Sequence, residues 1–277
     1  ESDDRAGAAL TELYQTFCEN TPPIRRMNLV NAELSKISVN TFVTTKISYA
    51  NMLAQVCERL PGADVDVVTG AIGLDSRIGT KYLKGAVSYG GPCFPRDNRA
   101  FARLAENFGV SASIALSTDE INDRHIDLIK SRVLQLSSDS LPVCVLGLSY
   151  KPGTYVVDES PGLKLAMSLL DAGKQVVVHD PMAMDATRAI LTDKVAYAQH
   201  PQAAVADCSV VAIMTAWPEF KSLLPVHFRP EAVIIDCWKV LKEADFQSSQ
   251  TVLHVGVGPQ QDKDALEKSN VKRVGCG

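Results

Sequence analysis

Along the first half of the chain, apolar residues recur at every third or fourth position; along the second half they gather in short unbroken runs. Leu10, Leu13, Tyr14 and Phe17 predict an amphipathic helix over 6–18, closed by Thr21-Pro22-Pro23. A much longer helix is predicted over about 28–60, with Val30, Leu34, Ile37, Ile47, Leu53, Val56 and Leu60 as its apolar face and Pro61-Gly62 as its stop. Asp64 starts a short helix over 64–72, and another runs over about 98–107 to close at Gly109. The last of the series begins after Ser111 or Ser113 and carries Ile121, Leu128, Ile129, Val133 and Leu136 on one face. The half is mostly helical, and its long stripes can be buried against a second copy. Ser137-Ser138-Asp139-Ser140 links it to the second half.

From Pro142 the pattern changes. Runs at 142–147, 175–179, 209–214 and 232–237, with a weaker one at 251–257, are those of strands buried on both faces. Helical segments lie between them, notably 160–171, which Gly173 terminates. Alternating buried strands and helices predict an α/β fold with a doubly wound parallel sheet. Right-handed crossovers place the loops after the strands along one edge, where nucleotides usually bind.

At 277 residues the chain has room for about two domains. Its 46% apolar and 22% charged residues are those of a soluble globular protein, and a net charge of −4 makes no case for nucleic acid or an anionic membrane as partner. No apolar run approaches a membrane span. Seven scattered cysteines fit neither a disulfide framework nor metal-ligand spacing, so no metal and a reducing cytoplasm are expected. Glu1 opens directly on acidic, helix-starting sequence without a methionine, which reads as a fragment or a processed chain.

The chemistry gathers in Ser88-Tyr89-Gly90-Gly91-Pro92-Cys93-Phe94-Pro95-Arg96-Asp97. Gly-Gly permits positive φ and close approach to a ligand, while the flanking prolines stiffen the turn and hold Cys93 out of regular structure. A helix starting near Asp97 puts Cys93 at a helix N-terminus, where unpaired N–H groups and the macrodipole stabilise negative charge, so a nucleophilic cysteine is expected. Lys36 and Asn40, four apart, emerge on one helix face. The loop Gly147-Leu148-Ser149-Tyr150-Lys151 is not G-x-G-x-x-G, so Asp180 at the end of the second strand makes only a weak case for a ribose-binding acid. Lys151 suits a phosphate or hydroxyl of a nucleotide as a point charge. His179 and His200 read as ordinary strand-end and loop residues.

Five motifs in order carry a resemblance: Ala32-Glu33-Leu34-Ser35-Lys36 with Asn40, Asp75-x-Arg77-Ile78-Gly79, Gly90-Gly91-x-Cys93-Phe94-Pro95-x-Asp97, Gly147-Leu148-Ser149-Tyr150-Lys151, and Glu159-Ser160-Pro161 with Asp180-Pro181 beyond. The chain resembles the UDP-glucose/GDP-mannose dehydrogenase family of nucleotide-sugar dehydrogenases. The resemblance implies that 1–23 is the tail of an absent N-terminal NAD-binding domain. It makes 24–136 a helical central domain used for homodimerisation, and 141–277 a Rossmann-like domain that binds the nucleotide-sugar. It implies oxidation of the C6 alcohol of a UDP- or GDP-sugar to a carboxylate with NAD as acceptor. NAD would be bound mainly by the absent domain, leaving this piece inactive alone. Cys93 would then form a thiohemiacetal and a thioester. Lys36 and Asn40 would donate to the developing oxyanion, and Asp97 would assist proton transfer or order the hydrolytic water. Arg77 would reach the neighbouring subunit's substrate, Lys151 would contact the sugar, and Tyr82, Tyr89 and Gly90 would line the site.

The chain departs from the family where Tyr155, Val156, Val157 and Asp158 replace acidic residues and an arginine that reaches the cofactor. Pro92 and Arg96 replace a small residue and a lysine. Two other readings are a non-catalytic module that holds a nucleotide-sugar and dimerises, with Cys93 a relic, and a cysteine hydrolase. The hydrolase needs a histidine base, for which His125 is the nearest in sequence.

Overall fold

The computed structural model describes residues 1–246 and 250–260. Five helices come first: α1 (Asp4–Phe17), α2 (Leu29–Cys57), α3 (Val65–Gly73), α4 (Phe94–Asn107) and α5 (Ser113–Leu136). Side chains cap three of them, Asp3 accepting from Ala6 N, Asn28 from Asn31 N and Asp64 from Asp66 N.

The long helix corrects one expectation. Its inward face is small and polar, through Thr41, Thr44, Ser48, Asn51 and Ala54. That face is stitched down by hydrogen bonds rather than by an apolar stripe. Ser48 Oγ donates to Thr118 O at 2.9 Å, and Asn51 pairs with Val87 O and Ala86 N, both at 3.0 Å. Of the apolar residues expected inside, Ile37, Ile47 and Leu53 are half-buried and Leu53 packs on the core, but Val30 is 72% exposed, and Leu34, Val56 and Leu60 are exposed too, as is Phe42 beside them.

The strands are β1 (Val143–Leu146), β2 (Val176–His179), β3 (Ala196–Tyr197), β4 (Val210–Ile213), β5 (Val233–Asp236) and β6 (Thr251–His254), interleaved with α6 (Pro161–Asp171), α7 (Met184–Leu191) and α8 (Pro201–Val205). All pairings are parallel, in the order β3-β2-β1-β4-β5-β6. Both central strands are buried at every position, which is why they read as unbroken apolar runs. β3, two residues long, leaves no such run.

The two faces of the sheet have separate cores. Val143, Val145, Val210 and Ala212 pack with Ala54, Val65, Ile129 and Val133 of the helical half, so one core is continuous across the linker. On the other face Cys144, Leu146, Val211 and Ile213 pack with Phe220, Phe228 and Phe246. Strand order reverses between β1 and β4, so a crevice opens at the carboxyl ends of that pair. The loop leaving β1, residues 147–160, runs along it. Among the described residues no helix is long and apolar enough to cross a membrane. The last part of the expected 141–277 unit, from 261 on, lies outside the described residues.

Candidate active site

Helix α4 begins at Phe94, four residues earlier than the pattern predicts, and Cys93 is its N-cap. Pro95 does not hold the cysteine out of the helix. It occupies the first turn, where a missing N–H costs nothing and a fixed φ suits the helix. Asp97 N donates to Cys93 O at 2.8 Å, closing that turn, and the cysteine side chain stays exposed.

One turn further on, Asp97 is 4% exposed and collects donors from two helices. Lys36 Nζ and Asn40 Nδ2, the latter at 2.6 Å, both bind its Oδ2, while Arg96 Nε donates to Oδ1 at 3.0 Å. Burial works to raise this carboxyl's pKa, but Lys36, Arg96 and Asn40 together hold it below the usual aspartate range. Lys36 and Asn40 thus reach the same oxygen because they stand one helical turn apart on α2. Arg96 is the residue that spacing did not single out. Its Nη2 lies 3.8 Å from Cys93 Sγ, so one guanidinium spans the thiol and the carboxylate. The only signal in the sequence was its place between them.

The glycine pair makes a close approach to the chain itself. Gly91 has φ +84 and donates its N–H to Asp158 O at 2.9 Å. A Cβ there would lie 2.7 Å from the Tyr150 ring, and a Cβ on Gly90 would lie 2.2 Å from Glu159 O. The cysteine turn therefore sits on the loop that leaves β1. Glu159 itself has φ +52, and its carboxylate pairs with Arg99 of α4 at 3.3 Å and Lys164 of α6 at 2.6 Å.

The aromatic candidates flank Phe94 edge-on, Tyr82 with ring centroids 6.2 Å away and Tyr89 at 6.4 Å. Tyr82 is half exposed and has φ +60. Tyr89 is buried with every polar group taken: its hydroxyl binds Asp119, and its N–H and carbonyl pair with the Asn122 side chain at 2.7 and 3.1 Å. Burial first, and then Asp119, push the Tyr89 hydroxyl's pKa far up. Lys151 is exposed in the loop leaving β1, its ammonium 5.4 Å from the Tyr150 ring centroid. Arg77 is also exposed and pairs at 2.6 Å with Asp75 in its own loop, apart from the other candidates.

Two acid–base suspects are accounted for internally. Asp180 Oδ2 accepts from Leu148 N, Ser149 N, Ser149 Oγ and Trp217 Nε1 at 2.8–3.1 Å, and Oδ1 accepts from Met182 N and Ala183 N. It builds the first loop of the sheet and has no lone pair left for a ribose. His125 is buried, with Nε2 against Ala86 O and Nδ1 against Gln55 Nε2. Burial lowers its pKa, and neither nitrogen is free to serve Cys93 as a hydrolase would require.

Comparison with known proteins agrees with this geometry. Residues 30–124 match the central domain of the UDP-glucose/GDP-mannose dehydrogenase family, and residues 144–243 match that family's UDP binding domain. The UDP-glucose 6-dehydrogenase TuaD of Bacillus subtilis is 35% identical over 255 residues, covering 90% of this chain and 54% of the relative. The UDP-glucose 6-dehydrogenase AglM of Haloferax volcanii is 36% identical, over 79% of this chain and 51% of its own. The structure of a UDP-glucose dehydrogenase from Pyrobaculum islandicum superposes with a TM-score of 0.81 at 35% identity, covering 92% of this chain and 57% of that one. The chain thus spans about half the length of the relatives it matches. With the cysteine turn, the doubly wound sheet and both domain matches in one order, the chain belongs to the UDP-glucose/GDP-mannose dehydrogenase family.

Proposed function

We propose that this chain is the substrate-holding, nucleophile-bearing part of a nucleotide-sugar 6-dehydrogenase acting on a UDP-sugar. The observation that carries the reading is the constellation of Cys93, Arg96, Asp97, Lys36 and Asn40, drawn from two helices, with the cysteine turn seated on the loop that leaves β1. The UDP-linked reading is supported by the UDP binding domain that residues 144–243 match and by the relatives named as UDP-glucose 6-dehydrogenases.

At the aldehyde level of the substrate, Cys93 Sγ attacks C6; a C–S bond forms and the carbonyl π pair moves to oxygen. Lys36 and Asn40, held on Asp97 in the resting arrangement, are the donors within reach of that oxyanion. The oxidation that turns this thiohemiacetal into a thioester would be supplied by NAD. Asp97, an ionised carboxylate between three donors, orders the water that then attacks the thioester and releases the Cys93 sulfur. Lys151 meets the sugar–diphosphate end of the substrate as a point charge, and Tyr82, Gly90 and Tyr89 shape the turn beside it. Arg77, exposed and paired with Asp75, serves the substrate of a neighbouring copy.

NAD, the hydride acceptor that the family resemblance implies, does not fit the acidic end of this sheet's second strand, because Asp180 has every lone pair engaged. The exposed apolar stripe of α2, through Val30, Phe42 and Val56, supports a homodimer formed along that helix.

Calorimetric titration tests the substrate reading. UDP-glucose is expected to bind, GDP-mannose to bind more weakly, and Lys151→Ala to weaken UDP-glucose by about tenfold, the value of a charge-assisted contact. Absence of binding by every nucleotide-sugar would contradict it.

A further inference from the structure

Besides the packing of Gly91 on Tyr150, three contacts join the cysteine turn and its helix to the loop leaving β1, and Glu159 is common to two of them. Gly91 N–H donates to Asp158 O at 2.9 Å, one residue before Glu159. The Gly90 backbone packs so tightly on Glu159 O that a Cβ there would lie 2.2 Å from it. The Glu159 carboxylate then reaches Arg99, in the second turn of α4, at 3.3 Å, with Lys164 of α6 on its other oxygen at 2.6 Å.

Glu159 adopts φ +52, a left-handed conformation that a glutamate takes only when its surroundings impose it. Ser160 immediately follows as the N-cap of α6, its Oγ accepting from Leu163 N, so the strained residue sits on a fixed support. The strain is spent at the contact with Gly90, three residues from Cys93. The hydrogen bonds of Asp97 hold α4 to α2; the contacts of Glu159 are what hold α4 to the sheet half.

We propose that Glu159 is a positioning residue for Cys93: its left-handed backbone seats the Gly90–Gly91 turn, and its carboxylate ties α4 to the sheet, so that the nucleophile is carried by the half that holds the nucleotide-sugar. This rests on the reading of Cys93 as the nucleophile and assigns Glu159 no contact with substrate. The consequence is specific. Loosening Glu159 moves Sγ relative to Arg96 and the first N–H groups of α4 without opening either core.

The test is the ligand-free alkylation rate of Cys93 by iodoacetamide, followed peptide by peptide in the full chain. Buried Cys57, Cys144, Cys208 and Cys237 report global opening, and half-buried Cys18 reports reagent quality. Glu159→Gln and Arg99→Gln keep the backbone and remove the ionic tie; each is expected to slow Cys93 by about threefold, the scale of a partly exposed pair. The double variant is expected to be no slower than Glu159→Gln alone, since Arg99→Gln removes one of the two ties, to Arg99 and Lys164, that Glu159→Gln has already lost. Glu159→Val, which disfavours the left-handed backbone, is expected to slow Cys93 by about fivefold or more, and Glu159→Asn, which tolerates it, to act like Glu159→Gln. Cys93 rates in Glu159→Gln and Arg99→Gln that match the wild type, or effects that add in the double variant, would overturn the proposal. So would a change that appears equally at the four buried cysteines. Should Glu159→Val not fold, the two glutamine variants still decide. Because these rates are measured without ligand, they stand or fall separately from shielding by UDP-glucose, which tests the substrate reading itself.

Discussion

Asp97 is the residue on which the site turns, and its protonation state sets what the neighbouring helices do. Its folded pKa is depressed, so the stability it contributes is complete above the unfolded aspartate value, about 3.9, and is lost as pH falls through the lower folded value. Lys36 and Arg96 are more than half exposed, which keeps the contribution modest. Asp97→Asn is expected to cost about 1–2 kcal/mol in urea unfolding at pH 7. The gap between variant and wild type should be flat from pH 6 to 8 and shrink below about pH 4. A gap that widened in acid would contradict the depressed pKa. The spacing of Lys36 and Asn40 was legible because a helix puts positions four apart on one face. Arg96 was not, because the pattern starts the helix four residues too late; with α4 beginning at Phe94, Arg96 stands three residues after Cys93 in its first turn.

The loops are where local sequence misled most, because their glycines and acids answer to distant partners. Gly90 and Gly91 read as a cradle for a ligand, yet their bareness makes room for Glu159 and Tyr150. Gly90→Ala is therefore expected to destabilise by about 1–3 kcal/mol, the usual cost of overpacking, measured by thermal or urea unfolding. Asp180 read as a weak ribose acid, yet it closes two turns with six acceptor contacts. Asp180→Ala would strand buried donors from Leu148, Ser149 and Trp217, at a cost of about 3 kcal/mol or more. If that variant unfolded like the wild type, Asp180 would not be the keystone of the loop. The long helix α2 showed its ends and length plainly in sequence, but not its inside. Polar residues with matched partners were buried, and part of the apolar stripe, Val30, Leu34 and Val56, was left facing out.

At the scale of the molecule, the two halves are joined by more than a linker. Lys239, at φ +53, binds Asp64 at 2.5 Å and Asp66 at 2.8 Å at the start of α3, and Gly256 O accepts from Val65 N at 2.9 Å. The change from helical period to buried runs near Pro142 was plain in the sequence, and the parallel sheet followed from it. The shared core was not, because nothing local says that Val133 and Val145 meet. The same scale holds the exposed stripe of α2. If it pairs with a second copy, Phe42→Asp should shift the chain toward monomer in sedimentation velocity while leaving its melting unchanged at low concentration. An unchanged sedimentation profile would rule that face out.

The central claim is that Cys93 stands inside a nucleotide-sugar site, and its alkylation rate in the presence of UDP-glucose tests this most directly. At ten times the dissociation constant the rate should fall by about tenfold, with Cys18 unaffected. An unchanged Cys93 rate under saturating UDP-glucose would contradict the account, and would leave the cysteine turn outside whatever site the ligand occupies.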